Sequence, residues 1–308
     1  MSDDGTETSA ITRPPAVDLV LLGVAVTAIS TSAPLIAATA VAPLAIAFWR
    51  SLLGSALTAP VVWLRHSDEL RALSRAELRG TVVAGVLLAA HFAAWLPSLR
   101  FTSVASSTAL VSLQPVWAAL FARRRGAHVP RAAWVGITVS LLGVVILTGI
   151  DVALDPRHLV GDALALVGGM LSAAYVTVGE QVRQTVTTPT YTSIAYAVSA
   201  VALLPLCLLL GQGLVGYDAT EWLTILALTL GAQLLGHTLI NRVLRTTSAT
   251  VTSLAILLEM PGATIIAAVW LGQVPPVSIV PAVALIFAGL VVVIWSGDRR
   301  IPLESPPV

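Results

Sequence analysis

Arg50, His91, Gln114 and Glu259 each fall inside a run of apolar residues, where a charged or amide group has few neighbours able to satisfy it. Glu259 could accept a proton or hold a substrate ammonium; the structural alternative is a protonated or Arg-paired carboxyl. Its neighbours three and four positions away include Ala255, Gly262 and Ala263, with Thr252 one turn further. That small, weakly polar face suits a helix interface or a cavity wall. Arg50 cannot shed its charge, so it could hold a substrate carboxylate by a two-pronged contact. Its structural alternative is a permanent pairing with Glu259 or with helix-end carbonyls. His91 has Trp95 one turn on along the same face, which suits a proton relay or a gate; otherwise it is a neutral imidazole bonded between helices. Gln114 shares a face with Ser107 and Trp117. If it mirrors Glu259, both could point at one central site; if not, it makes an amide bond between helices. Trp49, Trp95, Trp117, Tyr175 and Tyr196 could line a pocket for an apolar or aromatic substrate, or simply pack. His237 lies toward the end of its run and reads as structural. Glu180 and Asp162 fall at run ends, where water is expected to reach them.

The elements that carry these residues follow from composition. Of 308 residues, 56% are apolar and 11% charged, and the mean hydropathy is +0.89. A soluble domain needs about a quarter charged residues to cover its surface, so lipid must cover much of this chain. A bilayer core about 30 Å thick takes roughly 20 apolar residues of helix. Runs of that size sit near 18–39, 42–64, 79–98, 102–122, 131–150, 159–181, 188–210, 219–241, 247–271 and 275–296. The expected fold is an all-α integral membrane protein with ten transmembrane helices. Residues 1–17 are expected to form a disordered cytoplasmic N-terminus, and 298–308 a cytoplasmic tail.

Charge supports the count. All 17 basic residues are Arg. With both ends in the cytoplasm, Arg13, Arg65, Arg71, Arg75, Arg79, Arg123, Arg124, Arg125, Arg131, Arg183, Arg242, Arg245, Arg299 and Arg300 fall inside, while only Arg100 and Arg157 fall outside. That asymmetry obeys the positive-inside rule. Trp63, Trp134, Trp222, Trp270 and Trp295 sit near expected span ends, as interface belts do. The stretch from Arg65 to Arg79 mixes Arg with Asp68, Glu69 and Glu77 and reads as a solvated cytoplasmic loop, able to form a helix, that anchors the topology. The N-terminal segment carries Asp3, Asp4 and Glu7, unlike the basic start of a secretory signal, so cleavage is not expected.

The chain also resembles itself. Leu99-Arg100-Phe101-Thr102-Ser103 matches Leu244-Arg245-Thr246-Thr247-Ser248; at the same offset Gln114 falls on Glu259, and one residue of slip pairs Pro115 with Pro261 and Gly143 with Gly289. Gly161-Asp162 corresponds to Val17-Asp18. Two five-helix halves, 18–150 and 151–297, are therefore expected. An odd number of spans turns the second half upside down, giving two inverted repeats with a site between them near the midplane.

These residues carry a family resemblance. The stretches Leu99 to Pro115, Thr247 to Gly272 and Ala47 to Arg50 resemble the EamA-type carriers of the drug/metabolite transporter superfamily, over about 18–297. The resemblance implies a carrier of the cell inner membrane, often an exporter of amino acids or related metabolites. It also includes an Arg in the second span, matching Arg50. The chain departs from the pattern at Gln114, where many members carry other polar or small residues, and at Arg123-Arg124-Arg125-Gly126, which replaces the usual acidic residue after the fourth span.

Other classes are weaker. No phosphate-cradling loop, His-Glu-x-x-His pair or Gly-x-Ser-x-Gly elbow occurs, so ATP coupling by this chain and common hydrolase chemistry have no sequence support. An intramembrane enzyme acting on a lipid and a non-transporting scaffold are the alternatives to a carrier. Cys207, the single cysteine, excludes an intramolecular disulfide and a Cys-cluster metal site. No cofactor, metal or catalytic residue is expected. The formal net charge of +1 gives no bias toward nucleic acid. The expected partners are a small-molecule substrate and the lipid bilayer, with a proton gradient and a second copy of the chain as candidates.

Overall fold

The computed structural model describes residues 15–124, 126, 129–243 and 255–297. Arg13, Arg125, Arg245, Thr247, Ser248, Thr252, Arg299 and Arg300, with most of the expected N-terminal segment and the whole C-terminal tail, lie outside the described residues. Among the described residues every regular element is helical. Among the described residues nine helices are long and apolar enough to cross a membrane: α1 (Ala16–Ala38), α2 (Pro43–Arg65), α3 (Arg75–Ser98), α4 (Val104–Arg124), α5 (Arg131–Asp151), α6 (His158–Val182), α7 (Thr188–Leu209), α8 (Ala219–Val243) and, after the shorter α9 (Ala255–Leu271), α10 (Ile279–Ser296). The expected run 247–271 is described only over α9, whose 17 described residues fall short of a full span.

Sequence explains where these helices start, break and stop. Ser74 caps α3: its hydroxyl accepts from the Glu77 backbone N–H at 3.2 Å, and the Glu77 carboxylate accepts from the Ser74 N–H at 2.8 Å. Two helices are interrupted near their middles. α4 turns at Ser112 and Leu113 and restarts as Gln114–Arg124; α9 turns at Leu258 and restarts as Glu259–Leu271. Pro115 and Pro261 stand just inside the restarts. A proline lacks the N–H and crowds the carbonyl four residues back, so it breaks a helix there and suits its first turn. Gln114 and Glu259 thereby become the first residues of matching half-helices.

The packing is symmetric between the halves. α3 lies on α6 as α1 lies on α8; α4 lies on α6 as α9 lies on α1; α3 lies on α7 as α2 lies on α8. The pairs α2 with α7, α4 with α9 and α5 with α10 map onto themselves when the halves are exchanged. Small residues make the closest of these contacts, as expected where no hydrophobic gain separates helix from lipid. A side chain on Gly289 of α10 would sit 2.4 Å from Ser140 Oγ and 2.5 Å from the Gly136 carbonyl of α5. Gly289→Val should push α5 and α10 apart at a cost of about 1–3 kcal/mol. The check is a lower melting temperature in detergent; an unchanged one would contradict the packing.

The outer face is apolar. Trp63, Trp134, Trp270 and Trp295 are exposed, as expected of belts, but Trp222 packs edge-on against Trp49 at 4.9 Å. The loop after α2 is not simply solvated. Its short helix Ser67–Ala72 holds Glu69, which accepts from the Thr187 N–H at 2.7 Å, the Thr187 hydroxyl at 2.6 Å and the Thr190 hydroxyl at 2.5 Å. The carboxylate thus caps α7. Partial burial pushes the Glu69 carboxyl up, but these hydrogen bonds and nearby His66 outweigh it and hold it below its ordinary 4.5. A lowered value means the tether is present above the ordinary carboxylate value and is lost as pH falls through the lowered one. Spin labels on Arg71 and Gln184 should report one short distance at neutral pH that lengthens only in acid. The same distance at both would contradict the tether.

Candidate functional site

The interrupted helices meet at a cavity in the middle of the bundle, with about 660 Å³ of empty space counted to its open mouth. Both halves line it. Ile29 and Ser32 come from α1, His91 and Trp95 from α3, and Val111 and Gln114 from the break in α4. Opposite stand Ser172 and Tyr175 of α6, His237 and Asn241 of α8, and Glu259 at the restart of α9. The wall is mixed: aliphatic and aromatic surface with a few polar groups, the usual make-up of a small-molecule pocket. Among the described residues Glu259 is its sole carboxylate, and no Arg reaches its surface.

Close packing orients His91. Gly168 lets α6 approach so near that a Cβ there would lie 2.9 Å from Trp95 Cβ. The Gly168 carbonyl then meets His91 Nδ1 at 2.9 Å. A carbonyl only accepts, so Nδ1 carries the proton and Nε2 is left as an acceptor. The imidazole stacks on Trp95, with centroids 5.6 Å apart and planes 9° off parallel. Tyr175 stacks on Tyr191 at 6.4 Å, and its hydroxyl accepts from the Asn241 amide at 3.4 Å.

Arg50 stands one layer behind. It is fully buried; Nε donates to Gln233 Oε1 at 2.9 Å, and a terminal nitrogen reaches Ser32 Oγ at 3.5 Å. Its guanidinium lies 4.5 Å from the centre of the Phe92 ring, a cation-π contact. The other terminal nitrogen has no hydrogen-bond partner. The expected pairing with Glu259 is not formed: the ion pair within 4.0 Å among the described residues joins His66 to Glu69. Gln233 takes that place because α8 runs as a π-helix over Thr229–Thr238, a wider turn often found at functional sites. The Tyr196 hydroxyl donates to the Gln233 carbonyl at 3.3 Å and meets Thr238 at 3.2 Å, which fixes this stretch.

Of the residues singled out from sequence, His91, Trp95, Gln114, Tyr175 and Glu259 share the cavity wall. Arg50 and Tyr196 support it from behind. Trp49 and Trp117 do neither. Trp49 Nε1 donates to the Leu214 carbonyl at 2.8 Å, and Trp117 packs against the separate core around α5 and α10. Ser107, on the face once grouped with Gln114 and Trp117, bonds Ser98 at 2.7 Å. Two readings need correction. His237 lines the cavity instead of being a bystander. Asp162, expected in water, is 1% exposed, because α4 and α5 close over the start of α6; Glu180 is exposed as expected. Gln233 was missed altogether. Its signal is the spacing Gln233, His237, Asn241, a polar stripe every fourth residue along one face of an apolar helix.

The comparisons with known proteins agree with this architecture. An "Uncharacterized transporter" of Archaeoglobus fulgidus is 28% identical over 172 residues, 55% of this chain and 58% of that protein. The match therefore spans less than two thirds of that relative. A solved crystal structure, described only as that of a protein, superposes with a TM-score of 0.64 at 21% identity, covering 90% of this chain and 96% of the other. That likeness concerns the fold. The EamA-like transporter family matches twice, over residues 15–149 and 159–295, one match to each half. With its many apolar helices the protein is a multi-pass membrane protein, and it belongs to the EamA-like transporter family.

Proposed function

We propose that the protein is a secondary carrier that exports a small metabolite, such as an amino acid, by alternating access around the central cavity. The observation that carries this reading is the cavity wall itself, which both halves build symmetrically from the half-helix starts at Gln114 and Glu259. In this reading the chain crosses the inner membrane ten times, with both termini in the cytoplasm. Five spans per half invert the second half, and rocking of the halves opens the cavity to each side in turn. Glu259 and His91 meet the substrate or its coupling proton; Trp95 and Tyr175 contact its apolar part. Arg50 and Tyr196 hold the wall, and a homodimer remains compatible with the exposed apolar face. A lipid-directed enzyme has less support: among the described residues no serine on the cavity wall hydrogen-bonds His91, His237 or Glu259.

Untargeted comparison of metabolites inside and outside cells that overexpress or lack the protein identifies the candidate compound. Purified protein in liposomes should then move it with saturable kinetics. Conversion of a lipid into product without any flux would overturn the reading, as would neither activity in protein that is folded.

A further inference from the structure

We propose that the buried carboxylates of Asp151 and Asp162 form a sodium-ion site at the joint between the two halves, apart from the central cavity. Asp151 lies in the last turn of the helix of α5, which runs on to Leu154, and Asp162 lies one turn into α6; they are 2% and 1% exposed. Three of their four oxygens have no hydrogen-bond partner: Asp151 Oδ2 and both of Asp162. The two carboxyls act on each other electrostatically, and neither forms an ion pair with Arg among the described residues. The charged or titratable neighbour is His158, whose Nδ1 is 3.0 Å from the Asp151 carbonyl.

A second observation points to a ligand. The hydroxyls of Thr102, just ahead of α4, and Thr148, on α5, approach Asp162 at weak hydrogen-bonding reach, and both are buried without a partner of good hydrogen-bond geometry. Thr102 is only 8% exposed. Oxygens from α5, α6 and the residue ahead of α4 thus gather around Asp162, with only weak contacts among them and Ser106 beside Asp151. A buried carboxylate needs a proton or a cation to offset its lost hydration.

The donors select the ion. All are oxygens, carboxylate or hydroxyl, and among the described residues no group of three His, Cys, Asp or Glu gathers to hold a transition metal. The five available oxygens fall short of the six to eight that calcium takes. A sodium ion offsets one negative charge, and a proton shared between the carboxyls accounts for the other. The bound ion ties the end of α5 to α6 and to the start of α4, so the site can couple an ion to the relation between the halves.

The test uses the purified full chain in detergent. Its melting temperature is followed as sodium chloride replaces choline chloride at constant ionic strength, with potassium and calcium chloride in parallel. The expected result is a saturable rise with sodium and none with choline. Asp162→Asn should abolish that rise; Thr102→Val and Thr148→Val, which keep the shape of the side chain, should raise the sodium midpoint about tenfold, the effect of losing one ligand worth about 1.4 kcal/mol. Glu180→Gln, on the exposed face of α6, should leave it unchanged. The threonine variants keep the test decisive if Asp162→Asn does not fold. Equal rises with choline or potassium, a response to calcium alone, or a sodium midpoint that ignores these substitutions would overturn the site.

Discussion

Glu259→Gln should lower substrate flux in liposomes by at least about thirtyfold while leaving the fold intact. Glutamine keeps the length and shape of the side chain and removes only its charge. Among the described residues Glu259 is the sole carboxylate on the cavity wall; it forms no ion pair, and Arg50, one layer behind, acts on it only electrostatically and keeps its hydrogen bond to Gln233. Losing one partner of a desolvated charged contact costs about 2–5 kcal/mol, and each 1.4 kcal/mol is about tenfold. A structural role would give another pattern: normal flux with a lower melting temperature. If Glu259 also carries the coupling proton, an imposed pH difference should drive uptake by the parent protein and fail to drive it in the variant. Flux that ignores the pH difference from pH 5 to 8 in both would exclude proton coupling at this residue.

The second large effect is on stability. Gln233→Leu should destabilise the protein by about 1–3 kcal/mol or more, since a buried cation loses its hydrogen-bond acceptor. Arg50 is fully buried, already has one unpartnered terminal nitrogen, and otherwise rests on Ser32 and the Phe92 ring. The double variant Arg50→Met with Gln233→Leu should recover much of the loss, because replacing a buried polar pair by apolar residues removes the desolvation cost along with the pair. Melting of the four proteins in one detergent checks the cycle. Equal and additive losses would show that the two side chains do not depend on each other.

The helices were legible because lipid imposes a simple rule: long apolar runs, punctuated by Arg, Pro and Gly. The runs near 42–64, 188–210 and 219–241 lie within a few residues of α2, α7 and α8. The repeat paired Pro115 with Pro261, but the spans there read as unbroken, so the half-helix starts were not legible. Half of the site followed from noticing polar residues at mid-span. The rest depended on side-chain partners, which spacing does not reveal. Arg50 and Glu259 looked like natural mates as the two full charges deep in apolar runs, yet a widened turn in α8 brings Gln233 to the Arg instead. Trp49 and Trp117 lie in spans, but a span has several faces, and theirs turn to a loop carbonyl and to the α5 and α10 core. Asp162 misled for the opposite reason. A helix end usually meets water, but here Gly161 packs against Thr102, where a Cβ would lie 2.8 Å from the Thr102 backbone nitrogen, and the close fit seals the carboxyl in.

Alternating access is best tested at Gln114, which lies on the cavity wall at the break in α4. With the buried Cys207 replaced by Ser, a Gln114→Cys variant offers one thiol to a membrane-impermeant maleimide in right-side-out and inside-out vesicles. The carrier described here predicts labelling from each side, with substrate shifting the balance between them. A thiol that reacts from one side only, whatever the substrate or gradient, would contradict it.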